Sequence, residues 1–312
     1  MSSGKRQLLV ILGPTGAGKS AVAEEVARRA CGEIVSADAF AVYRGLDIGT
    51  AKPSRERRAE IPYHLLDVAE PGESFSAGRW AALAEQAAEE ISGRRKLPIV
   101  CGGSGFYIRA LLDGLPAGEA KDPRLRSELK AWAERDAAAS RRFLEVNDPV
   151  SFARIAPGNL RSILRAIEIL LVTGRPASQR RFPAPRFRDQ WRVIAVGIAP
   201  SRAELYAKIE HRVREMLNAG WLEEVRRLLE SGLSLDSPSF QAIGYREVAE
   251  WAMGHTGREA TEGKIVTATR RLAKRQRTWF ARERGVSWVK PEEAIPAILA
   301  LLEEESETEK SG

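Results

Sequence analysis

Cysteine, histidine and long apolar runs are scarce in this chain. Its 312 residues include two cysteines, Cys31 and Cys101, outside any C-x-x-C pattern, and three histidines that do not cluster. These absences argue against a disulfide framework and a zinc site, and they favour a reducing compartment. No stretch approaches the roughly 18 apolar residues of a membrane-spanning helix, and the basic residues near the start are not followed by the apolar h-region of a signal peptide. We therefore expect a cytoplasmic protein that is neither secreted nor inserted in a membrane.

The excess of positive charge is local. The net charge is +7, and the segment 121–190 carries 15 Lys and Arg against 8 Asp and Glu, while the rest of the chain is balanced. Arginine outnumbers lysine in this segment, and its planar fork suits phosphate recognition. A polyanionic partner is one interpretation of this pattern. Solvated helix faces in an arginine-rich protein are the other.

Short apolar runs alternate with helical patterns in the first third of the chain. The runs 8–12, 33–36 and 98–101 are candidate strands, and 77–91 is a candidate crossover helix. Alternation of this kind favours a parallel sheet covered by helices. The segment 64–67 is a further candidate strand end.

The pattern changes in the middle of the chain and then returns. Residues 121–188 show helices and loops without a convincing strand, and 160–171 has apolar residues at helical spacing. Strand character resumes at 193–198 and 286–289, with helical patterns at 202–218, 221–231, 244–253 and 258–283 between them. We therefore predict an α/β fold, with a P-loop NTPase-like parallel sheet core and an inserted all-helical domain. The predicted core comprises 1–120 and 191–291, the insertion 121–190, and a disordered acidic tail 303–312.

Residues 13–20 form a complete G-x-x-x-x-G-K-[ST] phosphate loop. The apolar run 7–12 precedes it and the helical pattern 21–27 follows it, which is the context this motif requires. Backbone N–H groups, the helix N-terminus and the Lys19 ammonium attract phosphate, and the Ser20 hydroxyl is a candidate ligand for Mg²⁺. We predict that a di- or triphosphate binds to Gly13, Pro14, Thr15, Gly16, Ala17, Gly18, Lys19 and Ser20.

Asp38 follows the second candidate strand, 34–37. In a doubly wound sheet, the carboxyl ends of the strands lie beside the ligand, so Asp38 is expected near the phosphate loop. Two functional roles compete, a holder of Mg²⁺ through its water shell and a general base for an acceptor. A plain helix N-cap or turn aspartate is the third interpretation.

Three other segments carry groups suited to RNA. Arg161 and Arg165 share one edge of a helix, where Glu168 could pair with Arg165, so phosphate contact competes with a salt-bridged surface. The segment 239–247 places an aromatic ring, an amide and an arginine around a glycine, which suits either RNA contact or a tertiary turn. The stretch 270–280 combines an apolar seam with cations that face solvent or RNA.

Together these segments resemble the bacterial tRNA dimethylallyltransferase (tRNA isopentenyltransferase) family. The matching motifs follow the family's order over 13–280, which is most of the chain. The most specific are Asp-Ile-Gly-Thr-Ala-Lys-Pro at 47–53 and Ile-Gly-Tyr-Arg-Glu at 243–247. The others are the phosphate loop, which many ATP-binding proteins share, and the segments 36–38, 42–46, 102–107, 165–168, 220–222 and 275–280.

The resemblance implies prenyl transfer and not phosphoryl transfer. Dimethylallyl diphosphate would bind the phosphate loop, and the acceptor would be the N6 amine of the adenosine 3′ of the anticodon, in tRNAs reading codons that begin with U. By the family pattern, Asp38 would accept the proton of the amine, and the adenosine would have to leave its stack to reach it. Thr15, Lys19, Arg212 and Ser20 with Mg²⁺ would stabilise the diphosphate. Arg202 and Arg214 are alternatives to Arg212.

The resemblance also implies the RNA contacts. The helical insertion would bind the anticodon stem-loop, and the protein is expected to be a monomer. The positions that match tRNA contacts of the family are Asp38, Ala39, Phe40, Ala41, Ser104, Arg126, Arg161, Arg165, Gln241, Gly244, Tyr245 and Arg246.

Four positions depart from the family pattern. Ala39 and Ala41 stand where polar residues are usual, Ser104 where threonine is common, and Ser162 where a second arginine is common. The two alanines remove side-chain hydrogen bonds to the target base. The alternatives to the tRNA enzyme are prenyl transfer to free adenine nucleotides, a small-molecule P-loop kinase, and an RNA-binding protein regulated by a nucleotide.

Overall fold

A computed structural model describes residues 6–115, 122–180 and 186–310 of the chain. Within these residues, six strands form one parallel sheet in the order β3-β2-β4-β1-β5-β6. The strands are β1 (Arg6–Leu12), β2 (Gly32–Ala37), β3 (Tyr63–His64), β4 (Leu97–Gly102), β5 (Trp191–Ile198) and β6 (Val286–Val289).

Helices of the described residues fall before, within and after the basic segment. The first group is α1 (Lys19–Arg29), α2 (Arg55–Glu60), α3 (Ala77–Gly93) and α4 (Gly105–Leu112). The second group is α5 (Pro123–Arg135), α6 (Ala137–Asn147), α7 (Pro149–Arg154), α8 (Leu160–Thr173) and α9 (Arg186–Gln190). The third group is α10 (Arg202–Asn218), α11 (Trp221–Glu230), α12 (Tyr245–Ala252), α13 (Arg258–Phe280) and α14 (Ala294–Lys310). The strands and helices predicted from the sequence are confirmed to within a few residues at their ends.

The parallel arrangement of the sheet agrees with the burial of its strands β1 and β2 on both faces. Residues 8–12 of β1 are all buried, and so is every residue of β2. Strands with no polar face must be covered on both sides by helices, which crossover connections provide. β1 pairs with β4 on one side and β5 on the other, so the loop that follows β1 lies between two neighbouring strand ends.

The chain divides into two compact units, 1–112 with 187–312, and 113–186. Phe187 is buried and stacks on Trp191, which ties the end of the basic segment to the sheet unit four residues before the predicted boundary. The start of that segment, 116–121, lies outside the described residues. In the helical unit, three aspartates cap successive helices with their side chains, Asp122 for α5, Asp136 for α6 and Asp148 for α7.

The C-terminal segment differs from the prediction. Helix α14 continues to Lys310, through most of the tail 303–312 for which the sequence suggested disorder. Ala294, Ile298 and Leu302 are buried in the sheet unit's core, so the helix is anchored at its start and continues through glutamates, which are good helix formers. Residues 311–312 lie outside the described residues. None of the helices that the structure describes is long and apolar enough to cross a membrane.

Candidate active site

The phosphate loop connects β1 to α1 at the carboxyl edge of the sheet. Gly18 is the N-cap of α1 and has φ of 90°, in the left-handed region where a side chain would add strain. Lys19 and Ser20 are therefore the first residues of the helix, where backbone N–H groups have no partner within the helix. The predicted context of the motif, strand then loop then helix, is confirmed.

The Lys19 side chain folds back over the phosphate loop. Its Nζ donates a hydrogen bond of 2.8 Å to the Pro14 carbonyl. The pKa of Lys19 is lowered to about 8, chiefly by burial and also by the Arg212 charge, while Cys101 and the Asp38 carboxylate act in the opposite direction. The ammonium is thus held in an environment where an added anion would be strongly favoured.

Asp38 stands directly after β2 and is half-buried. Its Oδ1 accepts hydrogen bonds from the N–H groups of Phe40, at 2.8 Å, and Ala41, at 3.2 Å. The carboxylate thus closes a turn, as the plainest interpretation of the sequence expected. Within the described part of the chain both of these bonds use Oδ1, so Oδ2 is available to accept a proton.

Arg212, on α10, lies near Lys19 and Asp38. Burial lowers its pKa, and the Asp38 carboxylate acts in the opposite direction, so the two charges lie close enough to interact. The alternatives are engaged elsewhere: Arg214 pairs with Glu210 and Glu262, and the Arg202 guanidinium stacks over Tyr206. Of these three arginines, Arg212 is the one placed beside Asp38 and Lys19.

A cavity of about 630 Å³ opens next to Arg212. Its other walls come from the segment 44–67 and from the end of α10. Lys52 contributes to it, and its side chain is fully buried, with Nζ donating to Asp47, to Asp67 and to the Tyr43 carbonyl. The cavity is therefore lined by several arginines, Arg44, Arg55, Arg58 and Arg212, as a site for an anionic molecule requires.

A second glycine turn, 102–105, follows β4 and faces the phosphate loop. Ser104 Oγ accepts a hydrogen bond of 3.1 Å from the Ala39 N–H, and the Ser104 N–H donates to the Ala37 carbonyl. Gln276 of α13 accepts from the Thr15 N–H at 2.8 Å and donates to the Gly103 carbonyl at 3.0 Å. Gln276 lies in the segment 275–280, which matches the family, but the sequence predicts no role for this residue.

The two most specific motifs meet at a buried glutamate, Glu224. Its carboxylate accepts the N–H groups of Asp47, Ile48 and Gly49 and the hydroxyl of Tyr245. Both motifs are thus joined by one side chain, and sequence reasoning missed this role of Glu224. A glutamate within an amphipathic helix carries no signal of its own.

Two of the positions predicted to contact tRNA, Gly244 and Tyr245, are buried in the structure. Tyr245 is fully buried, and burial together with Glu224 raises its pKa. Gly244 has φ of 97°, and a side chain there would overlap the Trp221 ring. The Tyr245 side chain and the Cβ direction of Gly244 are therefore enclosed by protein, and a tRNA contact at these two positions stays a prediction. Gln241 is exposed, and Arg246 is exposed with Nη2 donating to the Leu235 carbonyl.

In the helical unit, two of the predicted arginines share one acid. Arg126 and Arg165 each donate to the buried Glu168, with shortest N–O distances of 2.8 Å. Burial raises the pKa of Glu168, but the hydrogen bonds from Arg126 and Arg165 outweigh it and the pKa is lowered. The predicted pairing of Glu168 with Arg165 is confirmed. Arg161 is exposed on the same helix, α8.

The residues of the phosphate loop fit a magnesium ion bound through a diphosphate. Ser20 is exposed in the first turn of α1, and a hydroxyl oxygen is a hard ligand of the kind that Mg²⁺ accepts. The described residues contain no cluster of three or more His, Cys, Asp or Glu that could hold a metal ion by themselves. Mg²⁺ normally keeps several waters and relies on substrate phosphates, so such a cluster is not needed.

The parallel sheet, the phosphate loop at its carboxyl edge and the three charged groups beside it define a P-loop protein with an NTPase-like fold. The sequence profile of the IPP transferase family matches residues 41–283, and that of the isopentenyl transferase family matches residues 6–63. This chain belongs to the IPP transferase family.

Relatives agree over nearly the whole chain. A tRNA dimethylallyltransferase of Anaeromyxobacter dehalogenans (strain 2CP-C) is 45% identical over 91% of this chain and 95% of its own length. Among solved structures, a tRNA isopentenylpyrophosphate transferase of Staphylococcus epidermidis is 36% identical with a TM-score of 0.70, covering 96% of this chain and 100% of its own. The corresponding enzyme of Bacillus halodurans is 33% identical with a TM-score of 0.72, covering 98% and 99%.

Proposed function

We propose that this protein transfers the dimethylallyl group of dimethylallyl diphosphate to the N6 amine of the adenosine 3′ of the anticodon, in tRNAs reading codons that begin with U. The new bond joins N6 to the allylic carbon. The carbon–oxygen bond of the donor breaks, its electron pair leaves with diphosphate, and the amine loses one proton. The observation that carries the proposal is the grouping of Asp38, Lys19 and Arg212 beside a phosphate loop, in a chain whose relatives are named for this reaction.

The cationic groups serve the leaving diphosphate. Negative charge grows on its bridging oxygen as the carbon–oxygen bond breaks, and preorganised donors are worth most where charge develops. Lys19 and the loop amides hold the diphosphate, with the Thr15 hydroxyl adjacent, and Arg212 approaches from α10. When bound, Mg²⁺ would be held by Ser20 and the diphosphate, and it supplies further charge neutralisation.

Asp38 serves the acceptor. Its Oδ1 is fixed by two backbone N–H groups, so the carboxylate is oriented before any substrate binds. Oδ2 then takes the proton that the amine releases as it attacks the allylic carbon. The adenosine reaches this atom only when it is turned out of its stack, as base-modifying enzymes require.

The helical unit supplies the surface for the anticodon stem-loop. The excess of positive charge of the chain falls in the segment 121–190, and phosphate neutralisation dominates nucleic-acid affinity. An enzyme that prenylates a free nucleotide has no use for such a surface. We expect a cytoplasmic monomer.

Transfer of radiolabelled dimethylallyl groups, with Mg²⁺, to an unmodified anticodon stem-loop tests the proposal directly. AMP runs in parallel as acceptor, and ATP with adenosine tests phosphoryl transfer. Label in the stem-loop alone is expected. Label in AMP alone would indicate the free-nucleotide activity, and phosphorylated adenosine would indicate a kinase.

Asp38→Ala tests the assigned base. We expect stem-loop affinity to be retained and turnover to fall by about 10²-fold or more, because a positioned base contributes that much. Asp189→Ala, on the exposed surface of α9, is the matched control and should keep its turnover. Turnover of Asp38→Ala equal to that of the control would contradict the role.

A further inference from the structure

Gln276 is the one polar side chain of α13 for which the described structure shows hydrogen bonds to two separate glycine turns. Its Oε1 accepts the Thr15 N–H of the phosphate loop at 2.8 Å, and its Nε2 donates to the Gly103 carbonyl at 3.0 Å. A backbone N–H can only donate and a backbone carbonyl can only accept, so the two partners fix the orientation of the carboxamide. The side chain is half-buried, whereas its neighbours Arg275 and Arg277 are exposed.

The second of these turns leads directly to the proton acceptor. Ser104 Oγ accepts the Ala39 N–H, and the Ser104 N–H donates to the Ala37 carbonyl. Ala37 and Ala39 flank Asp38 in the chain. The Gly103 turn therefore holds the backbone on both sides of Asp38, while Gln276 holds the turn.

We propose that Gln276 is a positioning residue that sets the separation between the phosphate loop and Asp38. The inference deepens the proposed function and rests on it for its catalytic consequence. Thr15 belongs to the loop proposed to bind dimethylallyl diphosphate, and the Gly103 turn holds the backbone around Asp38, which serves the adenosine. The Gln276 carboxamide bridges these two segments through two hydrogen bonds. Turnover in such a reaction depends on the attacking nitrogen, the allylic carbon and the base lying in line, so a shift of about 1 Å can cost about 10²-fold.

The two bonds can be removed separately. Gln276→Met keeps the length of the side chain and loses both hydrogen bonds. Gln276→Glu keeps an oxygen for the Thr15 N–H but loses the donor to Gly103, and it adds a negative charge next to the diphosphate loop. Gln86→Met is the matched control, since it makes the same change on the exposed face of α3.

Hydrogen exchange tests the bridge without any reaction. In Gln276→Met, we expect faster exchange in peptides covering both 13–18 and 102–105. In Gln276→Glu, only the second peptide should exchange faster, because the Thr15 N–H keeps its acceptor. Gln86→Met should resemble the wild type in both. Exchange unchanged in both turns of Gln276→Met would overturn the proposal.

Steady-state kinetics with labelled donor and stem-loop test the catalytic consequence. Gln276→Met should lower kcat by about tenfold or more and change the donor KM by less than about threefold, since the phosphate-binding groups remain. Gln276→Glu should raise the donor KM, because its carboxylate repels diphosphate. Thermal unfolding of each variant separates these effects from loss of folded protein, and Gln276→Glu carries the test if Gln276→Met does not fold. A kcat of Gln276→Met within about twofold of the wild type would overturn the role.

Ser104→Ala completes the test as the partner variant in a double-mutant cycle with Gln276→Met. If the two side chains act in one connected set of hydrogen bonds, their effects on kcat are less than additive. Strict additivity would contradict the connection. If the wild type transfers no label, the proposed function has failed, and hydrogen exchange still decides whether the bridge exists.

Discussion

Glu168 of the helical unit and Glu224 of the sheet unit are both buried, and they are stabilised in different ways. Glu168 of the helical unit is 1% exposed and is held by the guanidinium groups of Arg126 and Arg165. Glu224 of the sheet unit is 3% exposed and is held by three backbone N–H groups and the Tyr245 hydroxyl, all neutral donors. Glu168 thus balances charge on side chains that reach solvent. Glu224 fixes the course of the backbone.

The difference follows from the groups that surround each glutamate. The segment 47–49 has no strand or helix of its own to satisfy its N–H groups, and buried backbone donors need partners. In the helical unit, aspartate side chains such as Asp148 accept the unpaired backbone N–H groups, while Glu168 orients two arginines. The same residue type therefore organises a loop in one region and a cationic surface in the other.

Glu224→Gln should have the largest effect on stability. The amide nitrogen of glutamine would face N–H donors where the carboxylate accepts them, so one or two part-buried donors lose their partner, at a cost of about 3 kcal/mol. Chemical denaturation measures the change. Glu223→Gln, at an exposed neighbour, should cost less than about 0.5 kcal/mol. Equal losses of unfolding free energy in the two variants would mean that the hydrogen bonds of Glu224 do not stabilise the loop.

Glu168→Gln should have a smaller effect, of about 1.5 kcal/mol. The variant loses charge-assisted hydrogen bonds, but Arg126 is 54% exposed and can be solvated when its partner becomes neutral. Hydrogen exchange in α8 locates the loss in the helical unit, with Glu145→Gln on the exposed face of α6 as control. A loss of unfolding free energy equal to that of Glu224→Gln would mean that water does not solvate the two guanidinium groups in the variant.

Acid should loosen α8 through Glu168. Its pKa is lowered in the folded protein, so its contribution is fully present above the unfolded value of 4.5 and is lost as pH falls through the lower folded value. Exchange in α8 should therefore rise below pH 4.5, and Glu168→Gln should flatten that rise. Asp148 of the same unit also has a lowered pKa, so a residual acid dependence is expected in the variant. A rise of equal size in Glu168→Gln would assign the acid effect to other groups.

Arg161→Ala should leave stability unchanged and affect RNA alone. In the described part of the chain no hydrogen bond or ion pair is seen for this exposed arginine, in contrast to Arg165, which holds Glu168. We expect the log–log salt dependence of stem-loop binding to lose about one unit of slope, as for one phosphate contact. Arg165→Ala should instead lower stability as well. An unchanged slope for Arg161→Ala would place its side chain away from the RNA.

The sequence predicted most of the sheet because its signals are local. The runs that became β1, β2, β4, β5 and β6 are apolar and bounded by turns. The two-residue β3 was only a candidate strand end, since two residues define no period. Asp38 and the phosphate loop were found for the same local reason, because each follows a strand directly.

What the sequence did not predict depends on contacts between distant segments. Tyr245 resembles an aromatic residue available to a base, and only its contact with Glu224, 21 residues away, shows that it is enclosed. Gln276 meets Thr15 from 261 residues away. No periodicity or spacing encodes such pairs, so a motif can be recognised from the sequence while the role of its members cannot.

The position of β1 in the sheet constrains the order in which the protein can assemble. β1 pairs with β4, which precedes the helical unit in the chain, and with β5, which follows it. During synthesis, the four strands β1 to β4 can pair early, whereas β1 keeps one open edge until the whole helical segment has left the ribosome. Closing a long flexible segment costs conformational entropy that grows with its length. A helical unit that folds first shortens that segment, so its stability governs how long the apolar edge of the nascent sheet stays exposed to aggregation.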